Sequence, residues 1–153
     1  MKAKRLLLGL ALLAPLGLGC SQDSITPICG PGETQIHGEA EAVETDSAVI
    51  GPDGGFLQVP GASLLVPPGA LSKSVTLSLT QRGNGRVDLG PDGTRFLTPV
   101  TLSLKATGNP DAFTIQWYDP TAGTYVAIPS LTTSEGRASY LAHFSIYRIT
   151  AIG

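Results

Sequence analysis

Three stretches of this chain interleave apolar and polar side chains, mostly hydroxyl-bearing, with a period of two. Val75, Leu77 and Leu79 alternate with Thr76, Ser78 and Thr80; Val100, Leu102 and Leu104 with Thr101, Ser103 and Lys105; Phe113, Ile115 and Trp117 with Thr114, Gln116 and Tyr118. Successive side chains of a strand point to opposite faces, so this pattern predicts antiparallel strands with one face on a core and one in water. Further strands are expected at Phe56–Val59, Ser63–Val66, Thr124–Ile128 and Arg137–Leu141, with a last one near Phe144–Ile149. The 19 glycines and 12 prolines among 153 residues favour many turns and short strands over long helices. Together these features predict an all-β fold, an antiparallel β-sandwich of about seven or eight short strands.

The turns between these strands carry their own signals. Gly51-Pro52-Asp53-Gly54 and Gly90-Pro91-Asp92-Gly93 are the same tetrapeptide. Proline presets φ at the first corner, Asp bonds to nearby backbone and Gly accepts a positive φ. Calcium would need about six to eight oxygen ligands, and no further acids cluster near Asp53 or Asp92, so both are read as turn residues. Gly83-Asn84-Gly85 reads as a hairpin turn, and Asp119-Pro120-Thr121-Ala122-Gly123 as another. In Val66-Pro67-Pro68-Gly69-Ala70-Leu71, Pro67 holds Val66 extended and Gly69 frees the chain to turn. Leu64, Val66 and Leu71 are expected to close one end of the sandwich.

The N-terminus points to export. Lys2, Lys4 and Arg5 precede Leu6 to Leu18, apolar except for Gly9, Pro15 and Gly17, and the run ends in Gly19-Cys20. A cationic start, a short apolar run and a small residue at the cut describe a secretory signal peptide over residues 1–19. With cysteine first after the cut, the segment resembles the bacterial lipoprotein signal, which implies lipid attachment at Cys20. The chain departs from that pattern in placing Gly17, not Leu, three residues before the cysteine. The alternative is ordinary cleavage nearby, leaving Cys20 to pair with Cys29. Several acyl chains on one residue would hold the protein on a membrane, since stable attachment takes about two. Ser21 after the anchor, where Asp often retains lipoproteins at the inner membrane, implies outer-membrane residence.

Charge divides the remainder. From Gly30 to Ile50 there are five acids (Glu33, Glu39, Glu41, Glu44 and Asp46) and no base, with few large apolar residues to offset the cost of ordering. Residues 20–49 are therefore read as a lipid-anchored, flexible acidic tether, and residues 50–153 as the sandwich domain. From Gly51 onward seven bases face six acids. So even a balance offers no basic stripe, and nucleic acid is not an expected partner. No segment after Cys20 is long and apolar enough to cross a bilayer as a helix.

Two stretches resemble a known family. Gly54-Gly55-Phe56, leading to Ser63-Leu64-Leu65-Val66-Pro67-Pro68-Gly69-Ala70-Leu71, is similar to the opening of the ZU-five domain, a β-sandwich of zonula occludens proteins, netrin receptors, ankyrins and bacterial envelope proteins. Gly90-Pro91-Asp92-Gly93-Thr94, Phe96, Pro99-Val100-Thr101-Leu102, an aromatic hairpin and the closing His143-Phe144-Ser145 continue the likeness to the C-terminus. The resemblance implies a structural or protein-interaction module in the cell envelope, with an unidentified envelope protein as partner.

It also implies a second possibility. In some eukaryotic ZU-five domains His-Phe-Ser marks spontaneous cleavage between Phe and Ser. Here Ser145 would attack the Phe144 carbonyl and His143 would take the hydroxyl proton, imidazole having a pKa near neutrality. That chemistry needs a strained peptide and donors facing the oxyanion. On an ideal strand His143 and Ser145 share a face and Phe144 points oppositely, so a kink is required; otherwise Phe144 is a core residue of the last strand.

No other catalytic set is visible. With His37 in the tether and His143 the other histidine, neither a His-based metal site nor an ordinary triad is supplied, and no cofactor is expected. Carbohydrate binding by Trp117, Tyr118 and Tyr125 is a further alternative. Alternation sends Trp117 to the core face with Ile115 and Tyr118 to the other, so an aromatic platform is not expected.

Overall fold

The computed structural model describes residues 43–153. The expected signal segment, Cys20, Cys29, His37 and most of the expected tether lie outside the described residues. In chain order the strands are β1 (Glu44–Ile50), β2 (Gly55–Val59), β3 (Ala62–Val66), β4 (Val75–Gln81), β5 (Arg86–Gly90) and β6 (Arg95–Lys105). A 3-10 turn at Pro110–Ala112 follows, then β7 (Phe113–Asp119), β8 (Thr124–Ile128), β9 (Leu131–Thr132), β10 (Gly136–His143) and β11 (Ile146–Ala151). They form a six-stranded sheet, β1-β4-β5-β11-β7-β8, and a five-stranded sheet, β2-β3-β6-β10-β9, with every pairing antiparallel.

The two sheets enclose one core. Leu77, Leu79, Val87, Leu89, Ile115 and Ile149 line it from the six-stranded side; Leu57, Leu64, Val66, Val100, Leu102 and Leu104 line it from the other. The residues that alternation sends inward are buried or, as with Val75, Phe113 and Trp117, partly buried against the core, while Thr76, Ser78, Thr101 and Ser103 keep contact with water. Each such aliphatic side chain contributes about 1.5–3 kcal/mol through burial. The all-β sandwich follows directly from this period-two pattern.

Three strands were not expected: β1, β5 and β9. Residues 44–49, expected as the end of the tether, instead form most of β1, in register with β4 from Glu44↔Gln81 to Ile50↔Val75. The ladder needs only backbone and one modestly apolar face. Ala48 and Ile50 supply that face, while Thr45, Ser47 and Val49 tolerate water on the other. Asp46 lies on the inner side at the rim, where its Oδ2 accepts the amide of Gln58 on β2 at 2.8 Å. β1 and β2 are edge strands of different sheets, so this carboxylate ties the two edges and satisfies an otherwise open edge amide. Asp46→Ala is expected to lower stability by about 1 kcal/mol, the scale of one solvent-accessible hydrogen bond. Urea denaturation should show a lower midpoint at unchanged slope.

The identical Gly-Pro-Asp-Gly tetrapeptides close differently. In the first, Gly54 N donates to Gly51 O at 3.0 Å; in the second, Thr94 N donates to Pro91 O at 3.2 Å, one residue later. Gly90 is still paired with Ser78 in the β4–β5 ladder, which displaces the second turn along the chain. Gly83-Asn84-Gly85 links β4 to β5 with all three residues at positive φ. The Val66–Leu71 run closes one end of the sandwich as expected, with Leu64, Val66, Ala70 and Leu71 all buried. Gly69 N donates to Pro52 O at 2.7 Å and fastens this run to the first Gly-Pro-Asp-Gly turn.

Candidate functional site at the sheet switch

β10 belongs to the five-stranded sheet and β11 to the six-stranded one, and only Phe144 and Ser145 lie between them. The chain therefore crosses the sandwich at the residues singled out in the sequence. A register shift between Leu141 and His143 bends the end of β10 out of its ladder with β6. Phe144 is a core residue, 1% exposed, with its ring edge-on to Phe96 at 4.9 Å between centroids. It stands at the crossing, and the last strand begins only at Ile146.

The crossing backbone is held on both sides. Phe144 N donates to Thr94 O at 2.8 Å, Gly93 N donates to Phe144 O at 3.3 Å, and Leu89 N donates to Ser145 O at 3.1 Å. The second Gly-Pro-Asp-Gly turn thus forms the cradle for the His-Phe-Ser segment.

His143 and Ser145 do not meet there as base and nucleophile. The imidazole packs edge-on against Trp117, centroids 5.5 Å apart, and its Nδ1 lies 3.2 Å from the Phe144 carbonyl oxygen. The Ser145 hydroxyl instead donates to the carbonyl of Tyr118 at 3.4 Å. In the tautomer carrying hydrogen on Nδ1, His143 joins Gly93 N as a second donor to the Phe144 oxygen. That oxygen is the one on which negative charge would build if Ser145 attacked, so an Nδ1–H there would act as an oxyanion donor. The kink that cleavage requires is present. Left-handed backbone strain is not: among the described residues, Asn84 is the non-glycine with positive φ.

Tyr147 is a member of this site that the sequence reading missed. It is 2% exposed, and its hydroxyl donates to the His143 carbonyl at 2.9 Å. Burial pushes the phenol well above its ordinary pKa, and the nearby Asp92 carboxylate adds to the effect. The neutral donor is therefore kept throughout the physiological range. Because the folded-state pKa is the higher one, this contribution is complete below the unfolded value near 10 and is lost as pH rises above it. Stability is expected to fall by about 1.4 kcal/mol per pH unit above about pH 10 from this group alone. Tyr147→Phe should flatten that alkaline limb in chemical denaturation at stepped pH, while costing about 1 kcal/mol at neutrality for the lost hydrogen bond.

On the outer face of the six-stranded sheet, Tyr118 and Tyr125 are register partners with rings edge-on at 5.4 Å. Trp117 packs against the core, as alternation requires, but the hairpin supplies Tyr125 as a second outer aromatic. Among the described residues no group of three or more His, Cys, Asp or Glu gathers as a metal site would. No protein-family model matches the chain, and no curated protein matches it.

Proposed function

We propose that this chain is a lipid-anchored cell-envelope protein whose sandwich serves as a ZU-five-like protein-interaction module, without activity on other molecules. The observation that carries the interaction reading is a line of apolar side chains across the outer face of the five-stranded sheet. Phe56 on β2 pairs with Leu65 on β3, Leu65 with Thr101 on β6, and Thr101 with Tyr140 on β10. Phe56 and Leu65 are each 52% exposed and Tyr140 is 67% exposed. Thr101 alone separates Leu65 from Tyr140, and exposed large apolar side chains gathered on one sheet face are a common mark of a partner surface. The two stretches that open the family resemblance pack on one another, with Gly54 seated against the backbone of Val66, Pro67 and Pro68.

Capture from native membranes tests the interaction reading. A partner retained by the wild type and lost on combined Phe56→Ser, Leu65→Ser and Tyr140→Ser substitution supports it, and equal retention rejects it. The anchor is tested separately: Cys20→Ser should release the protein from membranes and abolish incorporation of labelled lipid. Ser21 favours the outer membrane as its residence.

A second reading is favoured by the two donors on the Phe144 carbonyl oxygen. Ser145 Oγ would attack the Phe144 carbonyl carbon and the C–N bond would break, the hydroxyl proton passing to the departing amine. Water would then open the resulting ester, leaving Phe144 as a carboxylate and Ser145 as a new N-terminus. The nine residues 145–153 include β11, which lies between β5 and β7 and would stay paired. Intact mass under denaturing conditions, with Ser145→Ala in parallel, decides it. Loss of residues 145–153 in the wild type alone supports cleavage, and a full-length wild type after long incubation at neutral pH rejects it.

A further inference from the structure

The near-even charge of the domain conceals an uneven distribution. Of its seven bases, Arg82, Arg86 and Arg148 gather on the outer face of the six-stranded sheet, where Asp88 pairs with Arg82 and Arg86. Arg82 and Arg86 both donate through Nε to Asp88. Arg148 is register partner of Arg86 across β5 and β11, so two like charges stand directly opposite one another. Such a pair destabilises a sheet. Among the described residues no carboxylate is within ion-pair distance of Arg148.

Arg148 is nevertheless held in place. Its guanidinium carbon sits 3.8 Å above the centroid of Tyr125, and its Nε donates to Gln116 Oε1 at 2.8 Å. Tyr125 is itself braced edge-on by Tyr118. Stacking and a side-chain amide thus fix the plane of a cation without neutralising it, which leaves the fork ready for an oxyanion. The same face presents the hydroxyls of Thr80 on β4, Thr114 on β7 and Thr150 on β11.

We propose that this face binds a carboxylate-bearing polysaccharide. The excess of two positive charges calls for an anionic occupant. A sheet face carrying hydroxyls and two half-buried tyrosines suits pyranose rings, which offer hydroxyls to hydrogen-bond and C–H faces to stack. Arg86 and Arg148 take the carboxylates. The site lies on the opposite sheet from the Phe56–Leu65–Tyr140 row and is independent of that row's role.

The test uses the full-length protein in detergent, immobilised, with polygalacturonate as probe and its fully methyl-esterified form as the uncharged control. Polygalacturonate is expected to bind, and to bind about tenfold more weakly to Arg148→Gln and to Arg86→Gln, the scale of one lost charge-assisted pair. The methyl ester is expected to show no binding, and affinity should fall with added salt. Arg86→Gln removes a like-charge opposition while Arg82 still pairs with Asp88, so its thermal midpoint should equal or exceed that of the wild type. That readout separates lost recognition from lost folding. Absence of polygalacturonate binding overturns the proposal. So does equal binding of the esterified polymer, or equally tight binding of poly-glutamate or single-stranded DNA, which would show a face that reads charge without sugar.

Discussion

Replacing Phe144 by alanine is expected to destabilise the domain by about 3–5 kcal/mol, the range for removing a fully buried aromatic ring. The ring is at the point where the chain changes sheets, against Phe96, and its backbone is bonded to Gly93 and Thr94. Little in that setting can move to fill the space, since the Gly-Pro-Asp-Gly turn and both flanking strands are already bonded. For a domain of this size the loss would lower the melting temperature by roughly 12 °C or more. Trp117, the single tryptophan, is packed against the core beside His143, and its emission should report the transition. An unchanged midpoint would mean that the crossing is not a packed part of the core.

Gly54→Ala should be comparably damaging for a different reason. Gly54 has φ +79°, and an added Cβ would collide with the carbonyl oxygen of Val66 and lie 2.9 Å from backbone atoms of Pro67 and Pro68. The left-handed conformation costs about 1–2 kcal/mol for a residue with a side chain. Backbone displacement adds typically 1–3 kcal/mol, and two prolines resist the needed shift. A total loss of about 3 kcal/mol is expected by denaturant titration. Gly69→Ala is the control: its φ is also +79°, yet nothing lies within 4 Å of an added Cβ, so it should lose only the conformational part.

The strands with strict alternation were legible because their pattern is local: Val75–Thr80, Val100–Lys105 and Phe113–Tyr118 each carry the signal within six residues. β1 was hidden by Glu44 and Asp46, which depress strand propensity and read as solvated spacer until β4 and β2 supply partners. β5 was hidden by Arg86 and Asp88, whose charges flank Val87 and depress strand propensity, leaving Val87 and Leu89 as its two large apolar residues. The His-Phe-Ser tripeptide was visible, but its geometry depends on the turn at Gly90–Thr94, some fifty residues earlier in the chain. Hence the His143 ring, expected beside the Ser145 hydroxyl, has its Nδ1 3.2 Å from the Phe144 oxygen, and Tyr147 enters the site through tertiary contact alone. The arginine cluster was equally invisible. Arg86 and Arg148 become neighbours only because β5 and β11 pair, and the aromatic platform exists only because the hairpin sets Tyr125 opposite Tyr118.

The position of β11 has a consequence for the order in which the sheet can be assembled. It is the strand furthest along the chain of the eleven described, yet it stands third from one edge of the six-stranded sheet, between β5 and β7. A chain delivered N-terminus first, by a ribosome or through a membrane pore, has β1, β4 and β5 on one side and β7 and β8 on the other, with the seam between them open. The native sheet closes only when residues 146–151 arrive and pair with strands that include β5, about sixty residues earlier. Such late, non-local closure is slow. It also keeps the nascent chain from locking into its compact form before delivery is complete, a useful property in any polypeptide that must be threaded.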